Sequence, residues 1–138
     1  MMSKKQSIAV LESKGFKNID YDKLQFLQAN ISRAKGRVEK YKKNTLTKFE
    51  VYAVGEKQKW KCAISGEPLE FTRGGTHWQK KWCNPMSCVI DRIDSEKDYT
   101  ADNIQLATHK ANTWKSDFTN DELADLSRMF LKQYRKKK

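Results

Sequence analysis

Residues 86–116 read MSCVIDRIDSEKDYTADNIQLATHKANTWKS, and the order of patterns within them decides the fold. Residues 86–93 form a largely apolar run with the pattern of a strand, and 94–102 are a polar loop. Residues 103–106 are a second short strand and 107–116 a helix, so the class is α+β. Five polar residues fall at the junctions: Asp91, Asn103, His109, Asn112 and Lys115. Asn112 and Lys115 are three residues apart, so on a helix they share a face. Asp91, near the end of a strand, can meet that face across the hairpin. One carboxylate and one amide oxygen are hard ligands suited to Mg2+ (or Mn2+), with water in the remaining positions. Lys115 can then neutralise a phosphate. The set is a candidate site for phosphodiester hydrolysis, in which a metal offsets charge building up on the phosphate and the leaving oxygen.

The flanks of this stretch are basic. The 138 residues carry a formal net charge of +11. Residues 1–60 hold 14 Lys and Arg against 6 Asp and Glu, residues 61–131 hold 9 against 11, and the tail 132–138 adds five more cations. An acidic middle between basic arms suits a metal-using nuclease: carboxylates hold the cation and the arms bind phosphates. Nucleic acid is therefore the expected polyanion. A membrane surface is the weaker option, because no strongly amphipathic basic helix with a Trp/Phe face is evident.

Only 38% of residues are hydrophobic and 33% are charged, which limits the chain to one modest core with extensions. No run approaches the ~20 apolar residues of a membrane span. The opening MMSKKQSIAVLESKGF lacks both the apolar length and the cleavage site of a secretory signal. The odd count of three cysteines, Cys62, Cys83 and Cys88, argues against a disulfide framework and fits a reducing, cytoplasmic compartment.

Outside the deciding stretch, Leu24, Leu27, Ile31, Val38 and Tyr41 recur at helical spacing, predicting a helix over 21–43 weakened at Gly36 and capped by Asp20 or Asp22. A second helix is expected from 45 or 46 to 57, with Phe49 and Tyr52 facing inward. Residues 60–72, WKCAISGEPLEFT, read as strand, turn, strand. Thr119, with Glu122 three residues on, predicts a capping box and a last helix to about 134. Its stripe of Leu123, Leu126, Met129, Phe130 and Tyr134 is expected in the core.

The segments C62-A-I-S-G-E-P-L, I90-D-R-I-D-S, Y99-T-A-D-N-I and N112-T-W-K-S-D, in this order and spacing, resemble the HNH endonucleases of the ββα-metal fold. The likeness is greatest to a phage and mobile-element branch with a D-R-I-D…Y-T-x-x-N…N-x-x-K core, and it covers residues 60–118. The resemblance implies a nuclease core over 60–118, while charge and periodicity give a basic, mostly helical DNA-binding arm over 1–59 and a C-terminal helix with a basic tail over 119–138. It implies that Asp91 and Asn112 are metal ligands, that Asn103 braces the loop, and that Lys115 serves phosphate binding or local structure.

Two departures from the family pattern stand out. Where the family has its general base, a histidine after the aspartate, this chain has Arg92, which cannot accept a proton. Three alternatives follow. His109 or His77 is the base; or Arg92 stabilises the phosphate and a metal-bound hydroxide attacks; or the protein binds without cutting. Activity by the first or second route is the expectation. The family's zinc-binding CxxC pairs are also degraded: the first is Cys62-Ala-Ile-Ser65 and the second falls on Thr108-His-Lys-Ala111. No structural zinc is expected. Packing by Trp60, Trp78, Trp82 and Trp114 is expected in its place.

The expected partner is double-stranded DNA. Candidate contacts are Arg33, Lys35, Arg37, Lys40, Lys42 and Lys43 on the arm, Arg73, His77, Lys80 and Lys81 in the basic loop 73–82, and Arg135 and Lys136 in the tail. The leading expectation is a strand-nicking endonuclease, monomer or homodimer, acting inside the host cell of a phage or mobile element as a homing-type or interference nuclease. A non-catalytic DNA-binding protein on a decayed HNH fold is the alternative.

Overall fold

The computed structural model describes residues 2–35, 43–73 and 83–137. Three helices come first: α1 (Lys4–Ser13), α2 (Tyr21–Lys35) and α3 (Lys48–Lys57). Strands β1 (Cys88–Arg92) and β2 (Ile104–Thr108) follow, then α4 (His109–Lys115) and α5 (Asn120–Lys136). The fold mixes helices with one two-stranded antiparallel sheet among the described residues.

Short polar signals start these helices. Capping boxes formed by Ser3 with Gln6, Thr47 with Glu50 and Thr119 with Glu122 satisfy the orphan amides of α1, α3 and α5. Asp20 Oδ1 accepts the Lys23 amide at the start of α2, 3.1 Å away. Thr108 Oγ1 accepts the Ala111 amide and starts α4 at His109, so residues 107 and 108, expected in the helix, belong to β2. The helix α1 has no counterpart in the sequence reading.

Residues 60–72 do not form the two strands expected of them. Their pairing is limited to single bridges, Lys61 with Pro68 and Glu70 with Ser87. Pairing is interrupted by a tight turn in which Gly66 takes φ +77°, a conformation that glycine adopts without strain.

The sheet is covered on both faces. β1 and β2 pair with Asp91 opposite Gln105 and Arg92 opposite Ile104. Alternation along a strand sends Cys88, Ile90, Ile104 and Leu106 to the face packed by α2 and α3. The same alternation sends Val89, Asp91, Gln105 and Ala107 to the face under α4. One hydrophobic cluster runs from Leu11, Leu24, Leu27 and Ile31 through Val51 and Tyr52 to Cys88 and Leu106. The segments 1–59 and 60–118 therefore share a core. Asn30 Nδ2 donates to the Cys88 carbonyl at 3.0 Å, and Gln58 exchanges hydrogen bonds with the backbone of Leu106, sewing the two segments together.

Trp60 packs as expected of a core residue, edge-on to Tyr52 and to Phe71 with centroids 5.0 and 5.6 Å away. It also lies against Gly55 of α3 so closely that a Cβ there would stand 2.1 Å from the ring. Trp114 does not pack: it is 57% exposed. Trp78 and Trp82 lie outside the described residues.

The last helix departs most from expectation. Leu123 is buried, but Leu126, Met129, Phe130, Leu131 and Tyr134 are exposed. Every residue from 128 to 137 is exposed, so the helix leaves the body after its first turns. A strongly amphipathic helix with an aromatic face and cations on its polar side is thus present after all. Amphipathic patterning marks a face that burial favours, but it does not say that the chain itself supplies the cover. Among the described residues, no helix is long and apolar enough to cross a membrane.

Candidate functional site

Asp91 sits near the end of β1, buried under α4. Its Oδ2 receives Lys115 Nζ at 2.8 Å and Gln105 Nε2 at 2.9 Å. Gln105 in turn exchanges hydrogen bonds with Asn120 at the start of α5, 2.9 and 3.1 Å. Lys115 Nζ also reaches the carbonyls of Arg92 at 2.8 Å and Ile93 at 3.4 Å. An ammonium has three donors, and here all three have acceptors inside the protein. At 1% exposure Lys115 is an internal pin on the end of β1. Of the two roles expected for it, this geometry leaves local structure. Gln105 and Asn120 were not foreseen. Both are neutral amides, and only the pairing register, with Gln105 facing Asp91, brings them to the carboxylate.

Asn112 lies one turn before Lys115 on α4. Its side chain is half-buried and makes no hydrogen bond among the described residues. Asp91 Oδ1 is likewise without a hydrogen bond among them, while Oδ2 is fully engaged. A carboxylate oxygen and an amide oxygen that are not used internally have the donor chemistry for a hard divalent cation completed by water. The described residues contain no cluster of three His, Cys, Asp or Glu side chains placed to hold a metal.

Arg92 points away from Asp91, as neighbours on a strand must. Its guanidinium lies 4.7 Å from the centre of the Tyr99 ring, and Nη1 donates to the Lys97 carbonyl at 3.1 Å. It is thereby tied to the loop 93–103. Asn103 holds the same loop from within. Its Nδ2 donates to the carbonyls of Asp94 and Asp98, and its Oδ1 accepts the Asp94 amide, all within 2.9–3.0 Å. Thr100 Oγ1 donates to Asp102 at 2.6 Å and holds that carboxyl below its usual range. His109, the first residue of α4, is exposed, with its backbone amide on the Ser87 carbonyl at 2.8 Å.

The positions that hold the zinc ligands in the HNH family pattern, 62, 65, 108 and 111, converge here. Cys62 Sγ accepts the amides of Ser65 at 3.4 Å and Thr108 at 3.3 Å, and Thr108 Oγ1 accepts the Ala111 amide at 3.2 Å. Burial pushes the Cys62 thiol up, but the hydrogen bonds from Ser65 and Thr108 outweigh it and the net shift is downward. One thiol, two hydroxyls and a methyl do not fit a four-ligand zinc site.

Among the arm residues, Lys35 and Lys43 are exposed, and Arg33 is half-buried with a hydrogen bond to Asn30. Lys43 is stitched to the site loop. Its amide donates to Asp98 Oδ1 at 2.9 Å and its carbonyl accepts the Tyr99 amide at 2.8 Å. Arg73, Arg135 and Lys136 are exposed. Arg37, Lys40, Lys42, His77, Lys80 and Lys81 lie outside the described residues.

No protein-family model matches the chain, and no curated protein or solved structure was found to match it.

Proposed function

We propose that this chain is a metal-dependent DNA endonuclease of the ββα-metal type that nicks one strand. The observation that carries the reading is the strand–strand–helix unit of β1, β2 and α4. It sets Asp91 on the sheet face beneath the helix that bears Asn112, with one oxygen of Asp91 and the amide of Asn112 free of hydrogen bonds among the described residues. Asp91 and Asn112 would hold Mg2+ or Mn2+, which when bound supplies charge neutralisation at the phosphate.

The chain's own residues position this pair. Lys115 and Gln105 fix the Asp91 carboxylate through a single oxygen. Asn103 holds the loop that joins the strands. Exposed His109, one turn before Asn112 on α4, is the candidate base among the described residues. Lys43, carried to the edge of that loop by its bonds to Asp98 and Tyr99, brings a cation for the DNA backbone.

Two observations favour the second reading, a DNA-binding protein that no longer cuts. Lys115 already compensates the Asp91 charge, and Arg92 turns to Tyr99 rather than to Asp91. A supercoiled-plasmid assay with Mg2+, Mn2+ or chelator separates the two. Open circles that require metal, vanish in Asn112→Ala and diminish in His109→Ala support the endonuclease. Intact plasmid under every metal, with tight and salt-sensitive retardation in gels, supports the binder and overturns the first reading.

A further inference from the structure

The apolar side of α5 is a feature of the described residues that the proposed site does not use. Leu123 and Asn120 attach the first turn to the body, and the remainder projects into solvent. Met129 and Phe130 are each 64% exposed, with Leu126, Leu131 and Tyr134 alongside, and Phe130 and Tyr134 stack at 5.9 Å. A projecting helix of this length is marginal in water by itself, because helices draw their stability from packing an apolar face. The face therefore calls for a cover.

We infer that the cover is a second copy of α5, packed antiparallel about a two-fold axis. The charges of the helix are self-complementary. Asp121, Glu122 and Asp125 fill its first half, and Arg128, Lys132, Arg135 and Lys136 its second. Antiparallel pairing sets each acidic half beside its partner's basic half and opposes the two helix dipoles, while parallel pairing sets like beside like. On one flank Glu122, Met129 and Lys136 recur at seven-residue steps, so the two-fold brings Glu122 of one copy towards Lys136 of the other. The charge of the helix is divided between an acidic half and a basic half, which a second copy complements and a uniformly anionic lipid or DNA surface does not. Because α5 leaves the body at its N-terminal end, antiparallel pairing puts the two bodies at opposite ends of a rod of roughly 25 Å.

The five exposed apolar side chains, averaging about half of roughly 200 Å2 each, offer roughly 500 Å2 per copy. The total of about 1,000 Å2 lies at the lower edge of specific interfaces, so the dimer is weak and depends on concentration. It follows from α5 whether or not the hairpin site cuts DNA. If it does cut, the dimer carries two sites in one particle.

The test is sedimentation equilibrium of the full chain from about 1 to 500 µM, with wild type beside Phe130→Glu and two charge variants. One variant carries Asp121→Lys and Asp125→Lys, leaving the Glu122 cap in place; the other carries Lys132→Glu, Arg135→Glu and Lys136→Glu. All the substituted side chains are exposed, and far-ultraviolet circular dichroism checks the fold. The expected result is a wild-type monomer–dimer equilibrium in this range. Phe130→Glu should weaken it at least tenfold, each charge variant should stay monomeric alone, and an equimolar mixture of the two should associate. A wild type that is monomeric throughout overturns the proposal, as does a dimer indifferent to Phe130→Glu. Binding of a monomer to anionic phosphatidylserine vesicles, lost in Phe130→Glu, would assign the face to lipid and overturn it as well.

Discussion

Replacing Lys115 with Met probes the centre of the site. In the native protein the ammonium is fully coordinated by Asp91 Oδ2, the Arg92 carbonyl and the Ile93 carbonyl at 2.8, 2.8 and 3.4 Å. Methionine fills similar volume but removes the charge. Asp91, 7% exposed, is then left with the Gln105 amide as its hydrogen-bond partner. Stranding a buried charge in this way costs about 3–5 kcal/mol. The retained Gln105 bond and the slight exposure place the expectation near ~3 kcal/mol, a large part of a domain stability of ~5–15 kcal/mol. Asp91→Asn leaves the ammonium, 1% exposed, on neutral oxygens alone, so about 3–5 kcal/mol is expected there too. The double variant carries no stranded charge. It should be less destabilised than the sum of the single variants by at least ~1.5 kcal/mol. Urea unfolding gives all four stabilities, and DNA retardation at several salt concentrations gives the affinity. A Lys115→Met variant within ~1 kcal/mol of wild type that loses DNA binding would refute the reasoning, since Lys115 would then be meeting phosphate. Strict additivity in the cycle would refute the ion pair.

Asn103→Ala removes three hydrogen bonds from the loop 93–103 and should cost about 1–3 kcal/mol, with faster hydrogen exchange at the Asp94 amide; unchanged protection there would contradict its bracing role. Gly55→Ala forces a Cβ to 2.1 Å from Trp60, so a loss of about 1–3 kcal/mol from overpacking should exceed the gain in helix propensity of ~1 kcal/mol, visible as a shifted Trp emission and a lower urea midpoint. Burial pushes the Cys88 thiol up to about 12 from an ordinary value of 9.0. The folded protein therefore keeps a proton that the unfolded chain sheds. Its contribution to stability is complete below pH 9.0 and is lost as pH rises towards about 12, by up to ~1.4 kcal/mol per pH unit. Cys88→Ala should show a shallower alkaline decline in urea midpoint than wild type, and identical slopes would count against the buried thiol.

The local elements were largely legible in the sequence. Thr119 with Glu122 marked the start of α5, the periodicity from Leu24 to Ile31 marked α2, and the apolar run ending at Asp91 marked β1, because caps and hydrophobic spacing act over a few residues. The polar residues at the hairpin junctions were legible for the same reason: strand, loop and helix can be counted from the chain. Tertiary structure alone decided where those side chains sit and what they bond to. Lys115 could be read as a cation for phosphate or as a structural residue, and its burial beside Asp91 shows it saturated among the described residues. Gln105 and Asn120 carried no signal, since an amide gains meaning only from what faces it across a sheet. Arg92 and Asp91 are adjacent in sequence yet face opposite ways, because a strand alternates its side chains. The stripe on α5 was a correct reading of amphipathicity that predicted burial where the fold leaves exposure. Periodicity records which face prefers to leave water, and only the arrangement of the whole chain determines whether anything within it is there to receive that face.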